Sequence, residues 1–428
     1  MNLTSETITS VTRIADKLSV NEKQKKMFIN CFLSTLNTTT KIIDDNTTFI
    51  FTGDIPAMWL RDSSAQVRHY VPFARTDSSL QRVIEGLIRR QINYINIDPY
   101  ANAFNEAPNN DGFCDDITKQ NPWVWERKYE VDSLCYPISL AWQYWKATGI
   151  SSIFDENFHH AVDLILDLWK TEQRHPTQSR YSFMRNNAPK SDTLTNGGIG
   201  SPVKETGLTW SGFRPSDDAC KYGYLIPSNM FAVVVLRYIG NICESVWNDQ
   251  RLYQKAKHLE QTIDAAIHKY GIINHPDYGP IYAYEVDGLG NCLLMDDANV
   301  PSLLSIPYLG YTTCDDPIYQ NTRRFVLSKN NPCFYTGVFA KGIGSPHTPN
   351  GYVWPIGLAM QGLTASSADE MDQMIELLMN TDGNTGAMHE SFHPDNPDIF
   401  TRSWFAWADS LFAELIIKRY YEVERELQ

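Results

Sequence analysis

The chain has 428 residues, 43% of them apolar and 20% charged. That is ordinary globular composition, which argues against disorder and gives room for a large core without disulfide or metal staples. The 37 Lys and Arg against 50 Asp and Glu leave a net charge of −13, which argues against a nucleic-acid or anionic-membrane partner, since both need a basic surface.

In chain order, apolar residues at spacings of three and four predict helices over 22–36, 62–74, 78–96, 132–147, 158–170, 228–247, 251–270, 301–310, 317–328, 353–364, 368–379 and 404–420. Val83, Ile84, Leu87, Ile88, Ile92 and Ile95 form one such stripe, preceded by a capping-box signature, Ser78 with Gln81. Leu252, Ala256, Leu259, Ile263 and Ile267 form another, stopped by Gly271. Strand-like alternation is scarce; Tyr181–Met184 and Ile281–Val286 are short candidates. About a dozen helices, with long connections after roughly every second one (97–130, 171–226, 272–300, 329–352 and 380–403), predict an all-α toroid of six helical hairpins. Its loops would form a cleft at one end. No linker composition divides the chain, so 1–428 reads as one catalytic domain.

The N-terminus Met1-Asn2-Leu3-Thr4-Ser5-Glu6 has no basic start or apolar run, and the longest aliphatic-aromatic stretch, Phe231–Leu236, is too short to span a bilayer. The eight cysteines show neither C-x-x-C nor metal-ligand spacing and read as reduced thiols, so a cytoplasmic location is expected. Phosphate-binding loops, dinucleotide fingerprints, H-E-x-x-H and a nucleophile elbow are absent from the sequence, and no cofactor or metal is expected.

Chemistry gathers in three carboxylate clusters. Asp54, Arg61 and Asp62 surround Trp59; Asp62 could cap the following helix, but a cap does not call for Trp59 and Arg61. Arg and carboxylate groups fork onto vicinal hydroxyls while an indole packs on a ring face. Next comes Arg214-Pro215-Ser216-Asp217-Asp218. Ser216 or Asp217 can cap, and crowding plus partial burial would raise a carboxyl pKa, as a general acid requires. The third cluster is His389-Glu390-Ser391-Phe392-His393, followed by Arg402 and Trp404. With 11 Trp, 22 Tyr and 19 Phe available as stacking surfaces, separated carboxylates on loops at one face fit glycoside hydrolysis. The rivals on residues alone are another helical-toroid glycosidase or epimerase, and a non-catalytic carbohydrate-binding protein.

Together, Asp54-Ile55-Pro56-Ala57-Met58-Trp59-Leu60-Arg61-Asp62-Ser63, Arg214-Pro215-Ser216-Asp217-Asp218 and His389-Glu390-Ser391-Phe392 resemble glycoside hydrolase family 125, over about residues 20–425. The resemblance implies an (α/α)6 barrel and inverting, metal-independent, exo-acting hydrolysis of terminal α-1,6-linked mannose, as in trimmed N-glycans. It implies a general acid within Arg214–Asp218, taken as Asp218 with Asp217 as the alternative, and Glu390 as general base. Trp59, Arg61 and Asp62 would line the subsite for the cleaved mannose, with Asn299, His347, Arg402 and Trp404 as further contacts to an oligosaccharide substrate.

Overall fold

The computed structural model describes residues 3–18 and 22–426. Every predicted helix is present. Six form an inner ring: Leu60–Arg68, Val131–Thr148, Ile226–Ile242, the single turn Ile306–Leu309, Pro355–Leu363 and Ala406–Glu426. Six lie outside: Glu22–Ser34, Ser78–Ile97, Glu156–Glu172, Gln250–Ala266, Pro317–Val326 and Ala368–Asn380. The ring closes where Ala406–Glu426 packs on Leu60–Arg68. The short turn Ile306–Leu309 rests on Ile226–Ile242 and reaches the last inner helix through Tyr308, whose hydroxyl donates to Glu414 at 2.9 Å.

Burial explains the inner helices. Leu60 to Val67, Val131 to Ala141, Ile226 to Leu236 and Pro355 to Met360 are buried without a break, because neighbours surround a barrel-lining helix on all sides. The segment Ile226–Trp247 is long and apolar enough to cross a membrane by length and composition; here it is a barrel stave. Outer helices keep a striped face, as in Gln250–Ala266, where Leu252, Ala256, Leu259 and Ile263 point inward.

Several boundaries differ from expectation: the helix expected over 62–74 ends at Arg68, the one over 301–310 shortens to the turn Ile306–Leu309, and the one over 404–420 runs on to Glu426. The cap of Ser78–Ile97 is Asp77, which accepts from the Ser79 and Leu80 amides; Gln81 turns away to the Ala74 carbonyl at 2.7 Å. An Asp carboxylate is at least as good a cap as the Ser hydroxyl. The helices expected to run to 247 and 270 stop as α-helix at Ile242 and Ala266 and widen into π turns, Cys243–Trp247 and Ile267–Gly271. A further helix, Ser5–Leu18, precedes the barrel. Of the two strand candidates, Ile281 and Tyr282 belong to a hairpin of Ile272–His275 with Gly279–Tyr282, and Glu285–Val286 joins a separate three-stranded sheet. Tyr181–Met184 supplies only the Ile117–Met184 bridge.

The connections are lopsided. From inner helix to outer helix they are short: 69–77, 149–155, 243–249, 310–316 and 364–367. From outer helix to inner helix they are long: 35–59, 98–130, 173–225, 267–305, 327–354 and 381–405. All the long loops therefore lie at the end where inner helices begin. There the helix dipoles present their positive poles, which favours carboxylates.

Candidate active site

The site is built around Arg61, in the first turn of inner helix Leu60–Arg68 and 3% exposed. The strand Met58–Trp59 pairs with Ala103–Phe104, which pairs with Val124–Glu126. The Leu60 amide then donates to the Asn102 carbonyl at 3.0 Å, so sheet and helix register together aim the guanidinium inward. Arg61 Nη1 donates to Asp62 Oδ2 at 2.7 Å. Its Nη2 donates to Glu130 Oε1 and Oε2 at 3.1 and 3.2 Å and to Asp217 Oδ1 at 3.1 Å. Its Nε faces Asp132 Oδ2 at 3.4 Å.

Four carboxylates on one cation cannot all stay ionised in a low dielectric. Burial, countered by Arg61, pushes Asp132 up to about 6. Burial also raises Glu130 well above the carboxylate range, with Asp217 and Asp132 adding repulsion, and it raises Asp62. At Asp217 burial acts in the same direction but loses: Arg61, then Lys128, hold that carboxyl well below the usual range. The upward shift expected from crowding therefore does not fall on Asp217, because two buried cations outweigh its neighbours. Asn102 Nδ2 also donates to Asp217 Oδ1 at 3.1 Å, and Lys128 Nζ to the Asp217 carbonyl at 2.8 Å.

Asp217 and Asp218 sit in a tight corner that caps no helix. The Asp217 amide donates to the Arg214 carbonyl at 2.9 Å, and the Arg214 amide to the Asp218 carbonyl at 2.8 Å. Asp217 takes a left-handed φ of 66°, a conformation Asp tolerates better than most residues. That turn sends the two side chains to different places. Asp217 enters the Arg61 hub; Asp218, 5% exposed, places Oδ1 at 3.4 Å from His347 Nδ1 and leaves Oδ2 buried without a hydrogen-bond partner.

Glu390 precedes the strand Ser391–His393, which pairs with Asn396–Thr401. Its carboxylate, 6% exposed, accepts from Thr401 Oγ1 at 2.9 Å and meets Arg402 Nη1 at 3.4 Å. Arg402 adopts φ 41° and is anchored by Asp54, with Nε to Oδ1 at 2.9 Å. Behind the loop, Asp409 in the last inner helix accepts from the Met388 amide at 2.8 Å. The flanking imidazoles pack elsewhere: His389 stacks on Phe400 at 3.6 Å and His393 lies edge-on to Tyr352.

His347 ties the two sides together. Burial works to lower its pKa, but Asp218, then Asp217 and Glu390, raise it to about 9. Trp59 is buried beside Ala57, Ala103, Ile55 and Trp125, its indole N–H unpartnered. Asp62 also accepts from Thr52 Oγ1 at 2.8 Å. The structure thus brings Arg61, Asp62, Asp217, Asp218, His347, Glu390 and Arg402 together, with Trp59 two residues before Arg61 in its own small apolar cluster. Two residues stand apart. Trp404 lies at the rim, 38% exposed, packed on Phe51 with its N–H on Thr38 Oγ1 at 3.1 Å. Asn299 turns inward onto Asp297 Oδ1 at 2.9 Å. The sequence reading passed over Asn102, Lys128, Glu130, Asp132, Asp297 and Thr401.

The barrel and its carboxylate-lined end define the fold of the (α/α)6-barrel glycosidases: a bacterial glucoamylase complexed with acarbose superposes at TM-score 0.54 and 12% identity, over 85% of this chain and 49% of that one. The family model of the metal-independent α-mannosidases, GH125, matches residues 21–417, and the chain belongs to that family of glycoside hydrolases. It is similar to a metal-independent α-mannosidase from Streptococcus pneumoniae, solved as a non-productive substrate complex with α-1,6-mannobiose, at 47% identity and TM-score 0.96, covering 98% of this chain and 100% of the other. It is also 39% identical to the meiotically up-regulated gene 157 protein of Schizosaccharomyces pombe, over 93% of this chain and 82% of that protein.

Proposed function

We propose that this α-mannosidase releases single mannose units from the non-reducing ends of α-1,6-linked mannosides, with inversion, and that its substrates are N-glycan-type chains. The observation that carries the substrate is the likeness to the streptococcal enzyme over 98% of the chain, a protein whose complex contains α-1,6-mannobiose.

In this reading Asp218 is the general acid. Asp217 is pinned as a carboxylate by Arg61 and Lys128 and has no proton to give, whereas Asp218 has a free buried Oδ2. Asp218 donates to the glycosidic oxygen as the bond to the anomeric carbon breaks. Glu390 takes a proton from a water attacking the opposite face. Arg402 and Thr401 hold and orient that carboxylate, as positioning of a base requires. Trp59, Arg61 and Asp62 form the wall for the cleaved sugar: an apolar ring face and forked polar groups that hold hydroxyls and favour the oxocarbenium-like transition state. Arg402 would touch the sugar from the other side, Trp404 the departing chain, and Asn299 would act through Asp297.

The whole chain works as one catalytic domain in the cytoplasm. Its eight thiols are all unpaired, five of them buried, which suits a reducing compartment. The test of the central claim is time-resolved NMR of α-1,6-mannobiose incubated with enzyme in EDTA. β-Mannose appearing first supports the reading; α-mannose first, or no turnover, overturns it.

A further inference from the structure

We propose that His347 is the proton relay of Asp218: imidazole and carboxyl share one mobile proton, which His347 takes from solvent and passes to Asp218 between cleavages. This rests on the reading of Asp218 as the general acid.

The chemistry creates the need. In each inverting cycle the acid loses a proton to the leaving oxygen and the base gains one from water. The acid must be reloaded before the next cycle. Asp218 is 5% exposed and Oδ2 has no hydrogen-bond partner. Among the described residues, its one polar contact to another side chain is the 3.4 Å approach of His347 Nδ1 to Oδ1. The His347 side chain keeps 40% of its surface in solvent. It therefore spans the distance between a buried acid and bulk water.

His347 is also held for the purpose. Its amide donates to Ser345 Oγ at 3.2 Å, and that hydroxyl donates to Asp297 Oδ2 at 3.0 Å. The charged groups that face the imidazole are Asp218 and Asp217 from the 214–218 corner and Glu390 from the opposite loop. Asp297 and Arg214 stand behind Asp218, and Arg402 stands beside Glu390. Three carboxylates around one imidazole favour its cationic form, and His347 is pushed up to about 9. At neutral pH the resting proton is therefore on the ring.

Arrival of the substrate shifts the proton. A glycosidic oxygen at Asp218 accepts a hydrogen bond only from the carboxylic acid, so it favours the form in which His347 is neutral. Cleavage transfers that proton to the leaving hydroxyl and leaves Asp218 ionised beside a neutral ring. A proton from water then loads the ring, while Glu390 releases to water the one it gained. The sum is hydrolysis, with both residues restored. The alkaline limb of the rate profile then follows loss of the proton that His347 supplies.

The experiment compares two substrates. α-1,6-Mannobiose has a poor leaving group that needs a proton; 2,4-dinitrophenyl α-mannoside has one that does not. For His347→Gln, the expected loss in kcat on mannobiose is about tenfold to a hundredfold, at least tenfold greater than on the aryl mannoside. The alkaline limb on mannobiose should also move to lower pH. Added imidazole should restore part of the mannobiose rate in His347→Ala. Equal losses on both substrates, or none on either, overturn the relay. Asp218→Ala, run in parallel, isolates the underlying reading. A loss confined to mannobiose marks Asp218 as the acid whatever His347 does, whereas an equal loss or none removes that role from Asp218 and the relay with it.

Discussion

Arg61 and Asp217 meet at 3.1 Å although 156 residues separate them, and the contact ties the first inner helix to the corner that carries Asp218. Breaking a buried ion pair strands the charge left behind, at about 3–5 kcal/mol. Arg61→Met should therefore lower the unfolding free energy by about that amount, read by denaturant titration. Arg61→Lys keeps the charge but loses the fork; it should fold better than Arg61→Met and still lose most activity.

Glu390→Gln removes the proposed base and preserves shape. The expected rate loss on α-1,6-mannobiose is about 10²–10⁴-fold, with mannobiose affinity measured by calorimetry changed little. Retained turnover would move the base elsewhere.

Asp217→Asn should act differently from Asp218→Asn. The first leaves Asp218 and its free Oδ2 in place, so some turnover should persist with a raised KM, because the Arg61 hub is rearranged. The second should cost about 10²–10⁴-fold in kcat on mannobiose. Steady-state kinetics of both variants decides which carboxyl is the acid.

Asp77 fastens the helix Ser5–Leu18 to the barrel as well as capping Ser78–Ile97. It accepts from the Thr4 amide at 2.9 Å and Thr7 Oγ1 at 2.7 Å. Burial would raise its pKa, but the Ser79 hydroxyl, Thr4 amide and Thr7 hydroxyl hold it well below the usual carboxylate range. A depressed carboxyl stabilises the fold above its unfolded pKa and loses that contribution as pH falls through the folded one. Asp77→Ala should cost about 1 kcal/mol at neutral pH, and the gap to wild type should close as pH falls below about 4. Unfolding curves across pH give both.

Gly53 adopts φ 144°, and a β-carbon there would lie 2.3 Å from the Trp404 carbonyl oxygen. Gly53→Ala should push apart the strand pairing of Gly53 with Phe405. That shifts Arg402 away from Asp54 and Glu390. A destabilisation of about 1–3 kcal/mol is expected, with kcat falling, and both are measurable on one preparation.

The barrel was legible because its helices carry strong apolar periodicity, and the loop lengths alone put the cleft at one end. The helix Ser5–Leu18 went unread, although Val11, Ile14 and Ala15 are its buried stripe; the stripe is short and the rest of the segment polar. In the site, Trp59-Leu60-Arg61-Asp62 stood out because indole and guanidinium accompany the carboxylate. Glu130 and Asp132 did not, since a carboxylate beside Tyr129 and Val131 at a helix start looks like ordinary first-turn acid. Their partner lies 69 residues away from Glu130, and no local spacing announces such a contact. The choice between Asp217 and Asp218 was equally closed to spacing. It depends on which side chain the left-handed φ at Asp217 delivers to Arg61.

The crowding of Asp62, Glu130, Asp132 and Asp217 on a single guanidinium has a bearing on which sugars can enter. The end wall keeps an ionised Asp217, and its Arg61 is already engaged by all four carboxylates. A terminal residue bearing a phosphate ester or an acidic substituent would bring like charge against it, a juxtaposition that costs several kcal/mol. Neutral chain ends are therefore the expected substrates, and an esterified glycan should resist trimming until another enzyme has stripped off its anionic group.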